Sequence, residues 1–214
     1  QLTYAAKDAE IVFELHQILL PILKERELLQ IYHIVKDAQP FVVDMQLNGM
    51  GINKTNYQLM LEQLKVQHGD LLQQWDEYSS GIKHSSTSQL STWIEHEIEY
   101  AESEWPKTAK GNYSTTTQDL YINKHCLKES ARVALETILF PLKKLDKQIT
   151  SFGDKFLGFI DSQTNRLHPS FHLAGTKTGR LSCSKPNLQQ IPNQKQYREL
   201  FTAAPEHKLI IADY

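Results

Sequence analysis

Thr176-Lys177-Thr178-Gly179-Arg180-Leu181-Ser182, followed by Lys185-Pro186-Asn187-Leu188-Gln189-Gln190-Ile191-Pro192, is the stretch on which the reading of this chain turns. It reads as strand and extended loop, and it sets Arg180, Asn187 and Gln189 close together. Those side chains can donate hydrogen bonds to acceptors on base edges. In the minor groove every Watson–Crick pair presents an N3 or O2 acceptor in a nearly equivalent place. Donors held there test whether a pair is well formed without asking which pair it is. The residues alone leave a second and more economical account, a polar loop in which Asn187 and Gln189 satisfy backbone groups.

Downstream, Lys208-Leu209-Ile210-Ile211-Ala212 is a short apolar run of the kind that forms a buried strand. Leu167 to Leu173 alternates and contains β-formers, and Arg180–Cys183 is similar. The chain reaches Tyr214 with no turn after its last strand-like run, which reads as an interrupted domain. Upstream the pattern is helical. Ile11, Leu15, Ile18, Leu19 and Ile22 recur at helical spacing, with Pro21 as an expected kink or break. A second helix is expected from Leu28 to about Ala38, resuming after Pro40 and stopping at Asn48-Gly49. A long helix from Asn56 to Tyr78 carries a narrow apolar stripe. Ser85 to Ser88 offers caps for a helix over 89–97, and residues 105–117 read as a loop before a short helix. Two further helices are expected over Leu127–Leu139 and Pro141–Phe159. The second bears a separate stripe of Lys143, Lys147, Thr150 and Asp154. The fold class is therefore α+β, predominantly helical and followed by the first strands of a sheet.

Bulk composition is that of an ordinary globular protein, with 40% hydrophobic and 22% charged residues. No run approaches the ~20 apolar residues of a membrane span, and the opening residues carry no secretory signal. Cys126 and Cys183 lack metal-ligand spacing and are expected to be reduced thiols. Net charge is -2, but residues 166–214 hold seven basic and three acidic side chains, +4 there against -6 before it. A local footprint of this kind suits nucleic acid; on charge alone a solvated surface explains it as well.

The run from His168 to Pro192, continued by Tyr197-Arg198-Glu199-Leu200-Phe201 and Leu209-Ile210-Ile211-Ala212-Asp213-Tyr214, closely resembles the family A DNA polymerases, bacterial DNA polymerase I and its phage relatives. The Thr-Gly-Arg and Pro-Asn-Leu-Gln-x-Ile-Pro elements are specific in their order and spacing. The resemblance places Asp213 at the first metal-binding aspartate of motif A, with Tyr214 next to it contributing its backbone. Further back, Phe41 to Asn53 resembles the helix and turn leading from palm to thumb, and residues 56–78 a thumb helix. Ser85–Leu90 resembles the thumb's phosphate-holding helix start, so Ser86 is a phosphate-contact candidate. Lys143 and Lys147 fall where the family faces the duplex with basic residues, though a solvated helix face accounts for them almost equally. Tyr4-Ala5-Ala6-Lys7-Asp8 matches the Tyr-x-x-x-Asp motif of a 3′–5′ proofreading exonuclease. The spacing puts Tyr4 and Asp8 on one helical face, an arrangement that by itself is usually two surface residues. Residues 99–113 match nothing in the family, and the Pro192–Tyr197 segment is shorter than in many bacterial members, which points to a phage-like or divergent relative.

The expectation is then an internal piece of a DNA polymerase serving replication or repair, with three parts. Residues 1–26 would end an exonuclease domain, 27–160 would form the palm-entry helix and thumb, and 161–214 would begin the palm. Its parent would transfer nucleotides from dNTP to a primer 3′-hydroxyl using two Mg²⁺ ions. Arg180 and Asp213 would serve catalysis. Arg180, Asn187, Gln189, Lys143, Lys147 and Ser86 would grip primer–template DNA, and Asp8 would help hold an exonuclease metal beside Tyr4. Alone, the piece is expected to be inactive and monomeric, and its parent to work in the bacterial cytoplasm or a phage-infected cell. The alternatives are a 3′–5′ exonuclease of the RNase D type, resting on Tyr4 and Asp8, and a non-catalytic helical DNA-binding module.

Overall fold

The computed structural model describes residues 2–99 and 105–212. The chain forms two compact units, Gln1–Ile52 with Asp161–Tyr214, and Asn53–Ile160. In the first unit residues 50–52 form the strand that pairs with the C-terminal segment.

The first unit contains α1 (Leu2–Glu25), α2 (Leu29–Asn48), β1 (Met50–Ile52), β2 (Arg166–Leu167), β3 (Ser170–His172), β4 (Ser182–Ser184), α9 (Lys195–Arg198) and β5 (Phe201–Thr202). Strand β1 is the centre of an antiparallel sheet ordered β2-β1-β5, pairing Gly51 with Arg166 on one side and Thr202 on the other. The expected stop at Asn48-Gly49 is present. Gly49 has φ +62° and donates its N–H to the Met45 carbonyl. A Cβ at Gly49 would collide with the Leu167 carbonyl and the His168 ring, so glycine alone fits this crossing of helix end and strand. Arg166 caps the helix, its guanidinium donating to the carbonyls of Asn48 (2.5 Å) and Gly49 (3.0 Å). The His168 ring meets the Gln46 carbonyl at 2.9 Å, and Phe171 N–H donates to Gln46 Oε1 at 2.6 Å. The end of α2 is thereby stitched to β2 and β3.

The second unit is helical: α3 (Lys54–Ser79), α4 (Thr87–Glu97), α5 (Thr117–Asn123), α6 (Glu129–Ala134), α7 (Phe140–Phe152) and α8 (Asp154–Leu157). Asn53 starts α3 by accepting from Asn56 N–H, and the chain leaves it through Ser80 and Gly81, both at positive φ. Helices α3 and α7 run antiparallel, with Tyr57 donating to the Phe152 carbonyl and stacked on Phe156 at 5.3 Å. At the other end Trp75, Leu90, Trp93, Ile94, Leu120, Leu135, Leu139 and Leu142 form one buried cluster.

Four expectations need correction. Helices α1 and α2 continue unbroken past Pro21 and Pro40. Each proline removes one backbone hydrogen bond, and at these exposed positions water can serve the freed carbonyl. The expected helices over Leu127–Leu139 and Pro141–Phe159 are one continuous rod from Glu129 to Phe152, which a π turn at Leu135–Leu139 carries past Pro141. Phe140 N–H reaches back five residues to Leu135, a wider turn that accommodates the proline ring. The rod then ends at Gly153, where a Cβ would strike the Ile149 carbonyl. Finally, Lys208–Ala212 is not a buried strand. It pairs with no described strand, and Ile210 and Ile211 are 91% and 83% exposed. A strand needs a neighbour for its backbone groups, and none of the described strands lies alongside it. Cys126 and Cys183 are buried free thiols, and no described helix is long and apolar enough to cross a membrane.

Candidate nucleic-acid interface

Strands β3 and β4 form a hairpin with Phe171 opposite Cys183 and His172 opposite Ser182. Its connection, residues 173–181, is shaped by short-range bonds. Thr176 Oγ1 donates to the Arg180 carbonyl at 2.9 Å, and Gly179, at φ +74°, donates to the Thr176 carbonyl. The Arg180 backbone is thus held while its side chain is exposed, and its guanidinium makes no hydrogen bond among the described residues. After β4 the chain makes a 3₁₀ turn at Leu188–Gln190, capped by Asn187, whose Oδ1 accepts from Gln189 N–H at 3.0 Å. The Gln189 side-chain amide donates to the Leu181 carbonyl at 2.8 Å, which fastens the turn beside Arg180.

The structure therefore brings Arg180, Asn187 and Gln189 into one patch but gives them different work. Gln189 and the carbonyl end of Asn187 satisfy backbone groups, as the economical reading of the loop expects, and Arg180 does not. Residues 173–190 include Lys177, Arg180 and Lys185 and no acid, so the hairpin is locally cationic.

A second set of candidates lies in the helical unit. Ser86 is the N-cap of α4, its hydroxyl accepting from Gln89 N–H at 3.4 Å and meeting Ser88 Oγ at 3.2 Å. Lys143 and Lys147 line a recess of about 350 Å³ with Lys144, Thr117 and Phe140. Burial pulls the Lys143 ammonium below its usual lysine range, and the charge of Asp146 opposes that shift. Asp154, from the same stripe, is paired with Lys65 at 2.9 Å. In the other unit Tyr4 and Asp8 both lie exposed on α1. Asp213 and Tyr214 lie outside the described residues.

Sequence reading misses one constellation. The Asp146 carboxylate is flanked by His68 at 2.8 Å and His84 at 2.9 Å. In the sequence His68 is one position of a helical stripe, and the separations between the three residues follow no motif; only the folded α3–α7 pairing shows them as neighbours.

Residues 54–214 match the family model of DNA polymerase family A. DNA polymerase I of Treponema pallidum is 30% identical over 225 residues, covering 99% of this chain and 21% of the relative. DNA polymerase I of Rhizobium leguminosarum is 30% identical over 223 residues, with the same coverage. The chain thus spans about a fifth of the length of the curated relatives it matches. Among solved structures, the POL domain of Pol1 from M. smegmatis, in complex with DNA primer-template and dNTP, aligns with a TM-score of 0.60 at 23% identity. That alignment covers 76% of this chain and 28% of the other, and it establishes likeness of fold.

Proposed function

The chain belongs to DNA polymerase family A, and from that premise we propose that it is part of a template-directed polymerase and grips the primer–template duplex. The parent reaction is nucleotidyl transfer from a dNTP to a primer 3′-hydroxyl. The observation that carries the proposal is Arg180: an exposed guanidinium, backbone-fixed, on an acid-free hairpin loop. It is free to donate to the N3 or O2 acceptors that every paired base offers in the minor groove. The amide N–H₂ end of Asn187 adds a second donor. Gln189 acts as a positioning residue, holding the Leu181 carbonyl and with it the base of the loop. Ser86, Lys143 and Lys147 serve phosphates, and Tyr4 with Asp8 belongs to proofreading. The polymerase neighbour bound to primer-template and dNTP carries the ligands this reading requires.

Mg²⁺ takes hard oxygen ligands, and the Asp213 carboxylate and Tyr214 carbonyl are donors of that kind. Bound there, the metal would supply activation of the primer hydroxyl and neutralisation of the leaving pyrophosphate.

Single-turnover extension from matched and mismatched primers by the complete parent enzyme tests the proposal. A hydrogen bond from a charged donor contributes roughly 1.5–3 kcal/mol. If Arg180 forms its bond when the 3′-hydroxyl is aligned, Arg180→Ala slows matched extension about 10- to 100-fold while duplex affinity holds. A terminal mismatch displaces the same acceptor, so the mutant discriminates less between the two primers. Asp213→Ala differs in kind, abolishing synthesis while the duplex stays bound. Equal matched rates for wild type and Arg180→Ala would reduce Arg180 to a surface arginine.

A further inference from the structure

His68 on α3, His84 on the α3–α4 connection and Asp146 on α7 converge within the helical unit. His68 Nε2 lies 2.8 Å from Asp146 Oδ1, and His84 Nε2 lies 2.9 Å from Oδ2. One donor atom from each residue falls within 4.8 Å of the others. The two rings stand 6.2 Å apart at 69°, both turned toward the same carboxylate. All three side chains are partly withdrawn from solvent, His84 most, at 12% exposure.

The platform is rigid. Trp75 Nε1 donates to the Ile82 carbonyl at 2.7 Å, Ile82 N–H donates to Ser79 Oγ, and Lys83 N–H donates to Gln89 Oε1 at 2.7 Å. Those bonds fix the connection that presents His84, while α3 and α7 fix the other two residues.

We propose that His68, His84 and Asp146 form a binding site for Zn²⁺, independent of the Mg²⁺ chemistry of synthesis and of the functional reading above. Two imidazole nitrogens and one carboxylate are a borderline donor set, suited to zinc and not to Mg²⁺, which demands oxygen. Three protein ligands leave a fourth tetrahedral position for water. Tetrahedral ligands about 2.0–2.1 Å from zinc stand roughly 3.3 Å apart, so the site forms by side-chain rotations on the order of an ångström. Binding replaces the imidazole–carboxylate hydrogen bonds. A neutral ring exchanges its proton from Nε2 to Nδ1 through solvent and so presents the Nε2 lone pair, whereas a doubly protonated ring keeps Nδ1–H and releases its Nε2 proton to solvent. The ion would tie α3, the α3–α4 connection and α7 together and stabilise the folded unit by linkage.

Co²⁺ is a visible probe for such a site, because tetrahedral sites absorb strongly and octahedral carboxylate sites weakly. The metal-stripped full chain is titrated with CoCl₂ and then with ZnCl₂. One equivalent of Co²⁺ should develop visible bands that one equivalent of Zn²⁺ abolishes, and Zn²⁺ should raise the melting temperature. His84→Gln and Asp146→Asn should each remove that equivalent or weaken it at least tenfold. His207→Gln, whose ring meets the Pro205 carbonyl instead, should leave it intact. Absence of the bands in wild type, or their persistence in folded His84→Gln, overturns the proposal and leaves a hydrogen-bonded His–Asp–His cluster. Should a variant unfold, wild-type ¹⁵N spectra decide: Zn²⁺ must shift the Nε2 resonances of two histidines, and unmoved resonances overturn the site.

Discussion

Tyr197 is almost wholly buried on α9, and desolvation alone pushes its phenol up to about 12. The ionised form is thus disfavoured in the fold relative to the unfolded chain, where the phenol titrates near 10. The sign follows: this contribution is complete below pH 10 and is lost as pH rises from about 10 through about 12, because the unfolded chain releases its proton first. A rise from 10.0 to about 12 corresponds to roughly 2–3 kcal/mol. Urea denaturation at pH 9 and above pH 11 should show Tyr197→Phe losing less stability across that interval than wild type. Parallel losses in the two proteins would refute it. At this scale some roles are open to sequence reading and others are not. Gly49 is recognisable as a helix stop because a backbone turn needs little context. Gln189 beside the Leu181 carbonyl, and Arg166 on the end of α2, depend on residues that only folding makes neighbours. In the sequence Arg166 counts toward a basic footprint; in the fold it serves a helix end instead.

The helices follow from periodicity and caps: Ser86 stands in the run of caps that the sequence marks, whereas Asn53 starts its helix ahead of the expected Asn56. What pattern cannot show is how a helix passes a proline. Pro141 looks like a boundary, yet the π turn before it lets the rod continue to Phe152. The connection after α3 is held by a comparably local device. Trp75 is fully buried, packs edge-on against Trp93 at 5.3 Å, and clips the Ile82 carbonyl. Trp75→Phe removes both the indole donor and part of the ring, leaving a cavity and a poorly served carbonyl. The expected cost is about 2–4 kcal/mol, read as a lowered denaturation midpoint with an unchanged slope. A change below about 0.5 kcal/mol would mean that the core closes around the smaller ring.

For the molecule as a whole, the net charge of -2 conceals where cations remain available. Arg166 caps a helix and Lys195 pairs with Glu199, whereas Lys177, Arg180 and Lys185 stand exposed. Phosphate contacts by such groups release counterions on binding. Affinity for a duplex with a recessed end should therefore fall about tenfold or more between roughly 50 and 200 mM salt. A flat salt response would remove phosphate contact from the account.

The central place of β1 also imposes an order of assembly. Gly51 must find Arg166 across about 115 residues of intervening chain, a closure whose entropic cost grows with the logarithm of its length. The Tyr57–Phe156 stack shortens that search, because once it forms the effective loop falls to about 16 residues and the closure eases by roughly 2 kcal/mol. The helical unit, contiguous in sequence, is thus placed to fold first and act as a splint for the sheet. Tyr57→Ala should then slow refolding of the first unit although it lies outside it, as seen in pulse-labelled amide exchange at Gly51 and Ile52. Protection that arises at the wild-type rate would mean that the sheet closes without the splint.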